Sequence, residues 1–182
     1  AHTLDETRNL SDSGQFEDIS LQQGIRQILY PYEEMEVLNP EWEVILKDII
    51  DSLFEQMSDE EYNILNEEFG TYMVSRAYEY RQLLEYLVFR YFAKSIYDYD
   101  FLGKCQMLVT NFFVIRQMDI IRWLDNHREY SFKDRMDVVH IFSRQVEYSE
   151  DNIENLYEDF IFDDIFKTDS LIAILWIDSE NI

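Results

Sequence analysis

The stretch Glu85 to Trp123, EYLVFRYFAKSIYDYDFLGKCQMLVTNFFVIRQMDIIRW, constrains the fold more than any other, because it is apolar and aromatic in a chain that elsewhere is strongly acidic. Leu84, Leu87, Val88, Tyr91 and Phe92 mark one helical face, and Tyr86, Phe89, Ala93 and Ile96 mark another. A helix that is apolar nearly all round is a buried helix. Asp98, Asp100 and Gly103 interrupt the pattern, and Asp100 can accept from the free backbone N–H groups that open a second helix. That helix carries Phe101, Cys105, Leu108, Phe112 and Ile115 on one face. The two together predict a buried antiparallel hairpin, centred near Phe89 and Phe112, with amphipathic helices packed around it.

The remaining sequence supplies those helices. Residues 1–15 are polar and offer little to offset the entropy of ordering, so a poorly ordered lead is expected. Phe16, Ile19, Ile25, Ile28 and Leu29 form a weak first helix, interrupted by Gly24 and ending before Pro31. Asn39 followed by Pro40 starts the next, with Trp42, Leu46, Ile49, Ile50, Leu53 and Met57 on one face. Ser58 and Glu61 have capping-box spacing ahead of Tyr62, Leu65 and Phe69, and Gly70 ends or bends that helix. Beyond a turn at residues 125–130, Ser131 and Asp134 open a helix with Phe132, Met136, Val139, Phe142 and Val146 at helical spacing. Ser149, with Glu150 and Asp151 behind it, caps a helix whose stripe is Ile153, Leu156, Tyr157, Phe160 and Ile161. A tail helix over about 168–178, with Leu171 to Ile177 at its centre, needs a groove on the domain or a partner to cover it. The reading is all-α: one domain over 16–182, a bundle of six to eight helices with its core in 39–161.

Composition supports this. With 182 residues, 47% of them hydrophobic, the chain can bury a full core without disulfide or metal staples. Four glycines and two prolines argue against a sheet-rich fold. A net charge of -23 makes nucleic acid and anionic membrane surfaces poor partners and favours basic or neutral ones. No run approaches the roughly 20 apolar residues of a membrane span. The lone Cys105 reads as a small buried hydrophobe, and a reducing cytoplasm is the simplest compartment. Thirteen tyrosines are expected to line the core with their hydroxyls at its rim.

Few catalytic patterns are present. Gly14, Gly24, Gly70 and Gly103 are isolated, which excludes a glycine-rich nucleotide turn on a doubly wound sheet. One cysteine and three histidines do not supply a zinc or iron-sulfur site, so this segment is expected to hold no cofactor or metal of its own. Asp137-Val-Val-His140 imitates half of a di-iron carboxylate motif without its partner, and His140 reads as exposed beside Lys133, Asp137 and Arg144. No nucleophile-histidine-acid set is singled out.

Charges inside the apolar hairpin are more informative: Arg90 and Lys94 on the first helix, and Arg116, Asp119 and Arg122 on the second. A guanidinium there must find acceptors or reach water. Either these residues build a polar pocket, or the arginines pair with carboxylates such as Asp119 or Glu147. A pocket would gather Tyr86, Arg90, Arg116, Arg122 and Glu147, which are therefore the candidate binding residues. None of them is assigned a catalytic role.

Three segments, EYLVFRYFAKSIYDYDFLGK, LVTNFFVIRQMDIIRWLDN and VVHIFSRQVEYSEDNIENL, resemble the C-terminal region of the flagellin lysine-N-methylases of bacteria, with LNPEWEVIL as a further similar piece. The likeness runs from about Leu38 to Tyr157. Its most specific parts are Phe89-Arg90-Tyr91-Phe92, Ile115-Arg116, Arg122-Trp123-Leu124, and Ser143-Arg144 with Glu147, Ser149 and Asn152. Tyr148 stands where the family is expected to have histidine. The resemblance implies transfer of methyl groups from S-adenosylmethionine to flagellin lysines. It also implies a Cys-rich N-terminal half holding a metal or iron-sulfur centre, which this sequence lacks. The segment is then the C-terminal part of a longer enzyme or a relative without the reactive half, serving as scaffold or substrate dock. The alternative is a non-enzymatic interaction module that uses the tail as its contact.

Overall fold

The computed structural model describes residues 19–93 and 95–180. The lead expected over residues 1–15, together with Phe16 and Lys94, lies outside them. Along the described chain run α1 (Leu21–Glu33), α2 (Pro40–Ile49), α3 (Asp59–Met73), α4 (Ala77–Phe92), a short α5 (Ser95–Asp98), α6 (Phe101–Asp125), α7 (Phe132–Phe142), α8 (Glu150–Phe162) and α9 (Thr168–Glu180). A π-helical turn, Ile50–Glu55, continues α2, and another, Ser143–Glu147, continues α7. No strand occurs among the described residues, so the fold is the all-α bundle read from the sequence.

Helix starts follow local chemistry. Asn39 accepts from the Glu41 N–H at 3.2 Å, with Pro40 behind it fixing the backbone for the first turn. Both capping boxes form: Ser58 with Glu61, and Ser131 with Asp134. Asp100 takes the Gly103 N–H at 2.9 Å, and Ser149 takes that of Asn152 at 3.1 Å.

The centre of the bundle is α6, which packs against α1, α2, α4, α7, α8 and α9. Met107, Phe113, Val114, Ile115, Met118 and Ile120 lie at or near zero exposure along it. The face expected to carry the core differs: Ile115 is buried, but Cys105, Leu108 and Phe112 are only half-buried, and Phe101 is exposed. The hairpin itself forms, since Tyr80 stacks on Phe112, and Phe92, near the other end of α4, stacks on Phe101. Its first arm corrects the expectation. Only the row Glu79, Leu83, Leu87, Tyr91 of α4 is buried, while Val88 is exposed and Phe89 is 82% exposed. An apolar composition all round does not by itself bury a helix on all sides, and α4 lies at the margin of the bundle.

Two expected helix ends and one expected interruption do not occur. Helix α1 runs through Pro31 to Glu33, because the proline forfeits one hydrogen bond near the helix end while Tyr32 beside it is buried and anchored on α6. Gly70 sits inside α3, which continues to Met73. Gly24 does not interrupt α1 either; a Cβ there would stand 3.0 Å from the Ile174 side chain, so the missing side chain lets α9 approach. The tail is therefore covered by its own domain, with Leu171 and Ile174 buried. On α7 the buried face is Arg135, Val138, Ile141 and Phe142, not the row through Phe132 and Met136, both of which are exposed. In α8, Leu156 and Phe160 are buried and Ile161 is exposed.

Between α6 and α7 the chain turns through two consecutive left-handed residues, His127 (φ 57°) and Arg128 (φ 68°). Arg128 has compensation in an ion pair to Glu68 at 2.8 Å and a seat 5.3 Å from the Trp123 ring centre. His127 is exposed. His127→Gly is thus expected to stabilise the domain by about 0.5 kcal/mol, since glycine adopts this backbone without steric penalty. The urea midpoint checks it, and a lower midpoint would count against strain at this turn.

Candidate functional site

The π-helical turn after α7 is closed by the Tyr148 N–H donating to the Ser143 carbonyl at 3.2 Å. This turn sets Ser143 and Glu147 on one side, so that the Ser143 Oγ donates to Glu147 Oε2 at 2.6 Å. Helix α4 lies opposite and supplies two phenols. Tyr86 donates to Oε2 at 2.8 Å, and Tyr91 lies 3.3 Å from Oε1. Arg90 Nη2 donates to the Glu147 main-chain carbonyl at 3.2 Å. The Glu147 carboxylate therefore meets three hydroxyls, while the nearby guanidinium bonds to the backbone. Glu147 is 6% exposed, and Tyr86, which covers it, is 45% exposed.

This nest continues inward. Tyr91 accepts from Asn111 Nδ2 at 3.1 Å, and Tyr32 donates to Asn111 Oδ1 at 2.7 Å. Burial, with Glu147 adding to it, pushes the Tyr86 phenol up to about 12. The same two causes raise Tyr91 further. Both phenols are therefore protonated at neutral pH and act as donors. Tyr62, too, is bonded inside, to Gln117 at 2.9 Å, so the hydroxyls of Tyr32 and Tyr62 lie in the core rather than at its rim.

Of the five candidate residues, the fold gathers Tyr86, Arg90 and Glu147 and separates the other two. Arg116 is buried elsewhere and donates to Asn66 Oδ1 at 2.8 Å and Asp178 Oδ1 at 2.7 Å, tying α3 and α9 to α6. Arg122 lines a different cleft, with Glu41, Asp137, His140 and Arg144. His140 is exposed, as its charge pattern implied.

A second buried cluster was only half visible. Asp119, fully buried, accepts from Tyr80 at 2.8 Å, from the Tyr130 hydroxyl and from Arg135 Nη1. Arg135 also reaches Glu79 at 3.4 Å and stacks 4.3 Å from the Tyr80 ring centre. Arg76 bonds to Glu79 at 2.8 Å and to the Tyr130 carbonyl. Burial works against the Arg135 charge, but Asp119 and the two phenols outweigh it and hold its pKa raised. Asp119, Glu79 and Arg135 are buried, and the cluster joins α4, α6 and α7, which fixes their packing. The missed signal is positional: Glu79 shares its four-residue row with Leu83, Leu87 and Tyr91, and Arg135 lies three before Val138 and seven before Phe142.

The sequence model of the FliB lysine N-methylase C-terminal domain matches residues 3–174. The chain belongs to this family. No curated protein and no solved structure matches it. Within the FliB domain, the segment around Glu147 that carried the resemblance divides into two tasks. Gln145 and Asn152 are buried braces: Gln145 Oε1 accepts from the Leu38 N–H at 2.9 Å, and both side-chain amides donate to the Glu36 carbonyl. Ser143 and Glu147 form the nest. The Tyr148 side chain is 78% exposed and takes part in neither, although its backbone N–H closes the turn.

The groups that the resemblance implies are a metal or iron-sulfur centre and S-adenosylmethionine. An iron-sulfur cluster needs several thiolates, and half-buried Cys105, its pKa raised by burial, stands alone. Among the described residues no three His, Cys, Asp or Glu side chains gather as for a metal. The apolar cleft of about 740 Å³ between α3 and α4 has Arg116 in its wall, already engaged by Asn66 and Asp178. Tyr80, Arg81 and Glu85 line it as well. No helix of the described residues is long and apolar enough to cross a membrane.

Proposed function

We propose that this chain is the substrate-docking C-terminal domain of a flagellin lysine N-methylase, and that the hydroxyl-lined Glu147 carboxylate is where a lysine side chain is received. The observation that carries the reading is a carboxylate bonded to three neutral hydroxyls, beneath a half-exposed tyrosine, in a domain of the FliB family. An arriving ammonium would displace the Tyr86 hydroxyl from Oε2 and take its place, with Ser143 and Tyr91 keeping the carboxylate oriented. Charge-assisted bonds of this kind are about twice as strong as neutral ones. The chain's net charge of -23 would draw a cationic side chain toward the surface before that contact forms.

In this reading flagellin is the protein substrate. S-adenosylmethionine, and the metal or iron-sulfur centre of the full-length family, belong with the Cys-rich N-terminal half, and the enzyme works in the cytoplasm. A bound S-adenosylmethionine would supply the methyl group, and this domain would present the amine. The alternative of an interaction module loses the tail as its contact, because Leu171 and Ile174 are buried within the domain.

Glu147→Gln removes the charge while keeping the shape. It is expected to weaken binding of flagellin by about tenfold or more, the share of one charged hydrogen bond. Titration of flagellin into the chain, followed calorimetrically, provides the test. Tyr86→Phe should leave binding equal or tighter, since an ammonium must displace that hydroxyl in any case. Unchanged affinity in Glu147→Gln, with thermal stability intact, would remove the nest from the reading.

A further inference from the structure

The exposed side of α4 presents an apolar seam that none of the described residues covers. Val74, in the 3-10 turn just ahead of α4, is 64% exposed, and Tyr78, Val88 and Phe89 are exposed with it. Between them lie Arg81 and Glu85, both well exposed and bonded to one another at 2.9 Å. The positions 74, 78, 81, 85 and 88 alternate steps of four and three, the spacing of a helix-pairing seam rather than of a scattered surface. Beside it the apolar cleft, lined by Met73, Val74, Ala77, Leu84 and Phe112, gives large side chains somewhere to go.

We propose that this seam is a homodimer interface in which α4 packs antiparallel against α4 of a second copy. The reason for choosing a second copy is self-complementarity. A two-fold axis level with residue 83 places Arg81 opposite Glu85 of the other copy and Glu85 opposite its Arg81, so both charges are matched by one operation. The same register brings Phe89 level with Ala77, a small residue lining the cleft, and Val88 level with Tyr78. Large meets small and cation meets anion along the whole seam. A basic partner helix would answer the chain's overall charge but would meet Arg81 at the centre of the contact. The overall charge of -23 on each copy opposes association at long range, so the dimer tightens as salt screens that repulsion. This inference does not depend on the lysine-docking reading.

Sedimentation equilibrium of the full chain tests it. The expected mass is twice 22.2 kDa at micromolar concentrations, with the dimer favoured by added salt. Phe89→Asp should weaken the dimer about 30-fold or more, as loss of an aromatic anchor does. Its helical content should be unchanged, because Phe89 is not part of the monomer core, and its melting should match that of the wild-type chain diluted until it dissociates. Arg81→Glu and Glu85→Arg should each dissociate the dimer, and the double exchange should restore it. A wild-type chain that remains monomeric at high concentration overturns the proposal, including the case in which the seam is covered only by a different protein. So does a dimer indifferent to Phe89→Asp, or one that the double exchange fails to restore.

Discussion

Arg135→Met is expected to destabilise the domain by about 3–5 kcal/mol, a large part of the roughly 5–15 kcal/mol that holds a domain of this kind folded. The substitution preserves much of the side-chain volume, so the effect is electrostatic. Asp119, at 0% exposure, would keep its bonds to Tyr80 and Tyr130 but lose the only guanidinium in contact with it among the described residues. Glu79 would keep Arg76 and the Tyr78 hydroxyl. Removing one partner of a buried pair leaves a charge uncompensated, whereas replacing both by apolar groups is often close to neutral. The double variant Asp119→Leu with Arg135→Met should therefore recover more than half of the loss. Urea unfolding of the three variants checks this. A single variant within 1 kcal/mol of the parent would show the pair to be hydrated or dispensable.

Removing the residues after Thr168 is expected to unfold the domain rather than to detach an appendage. Helix α9 buries Leu171 and Ile174, and truncating one such side chain to alanine alone costs about 2–5 kcal/mol. Its Asp178 also answers Arg116, which would be left inside the bundle with Asn66 as its remaining side-chain partner. The sum reaches the whole stability of a typical domain. Circular dichroism and the dispersion of amide resonances of the truncated chain provide the measurement. A truncated chain with native dispersion would make the tail a separable contact element after all. Ile174→Ala gives a graded version, since the cavity would open directly over Gly24.

Much of this architecture could be read from the amino acids. Every start signalled by a cap formed: Asn39-Pro40, Ser58 with Glu61, Asp100, Ser131 with Asp134, and Ser149. These signals are local, requiring only a side chain and an N–H two or three residues away. Burial is not local. Phe89 and Phe113 are the same residue type in equally apolar surroundings, yet one is 82% exposed and the other is at the centre. Which side of α4 turns inward is decided by the neighbours of α6, and the sequence states that only through the polar residues placed on the buried row. Glu79 and Arg135 mark the inward faces of α4 and α7 because each has a partner waiting there. The candidate site was legible in the same partial sense. Tyr86, Arg90 and Glu147 do meet, whereas Arg116 and Arg122 lie elsewhere because one α6 helix presents them to different neighbours.

The segment from Ser143 to Glu147 holds one residue more per turn of hydrogen bonding than the α-helix it extends. Such a surplus residue acts as a phase shift, rotating whatever follows by about 100° relative to an uninterrupted helix. Without it, the frame that aims the Glu147 carboxylate at two phenols of α4 would also misalign Asn152 from the Glu36 carbonyl. Length, not only residue identity, is thus under constraint in this stretch: a deletion of one residue would be felt simultaneously at the nest and at the brace, where a conservative exchange would be felt at one.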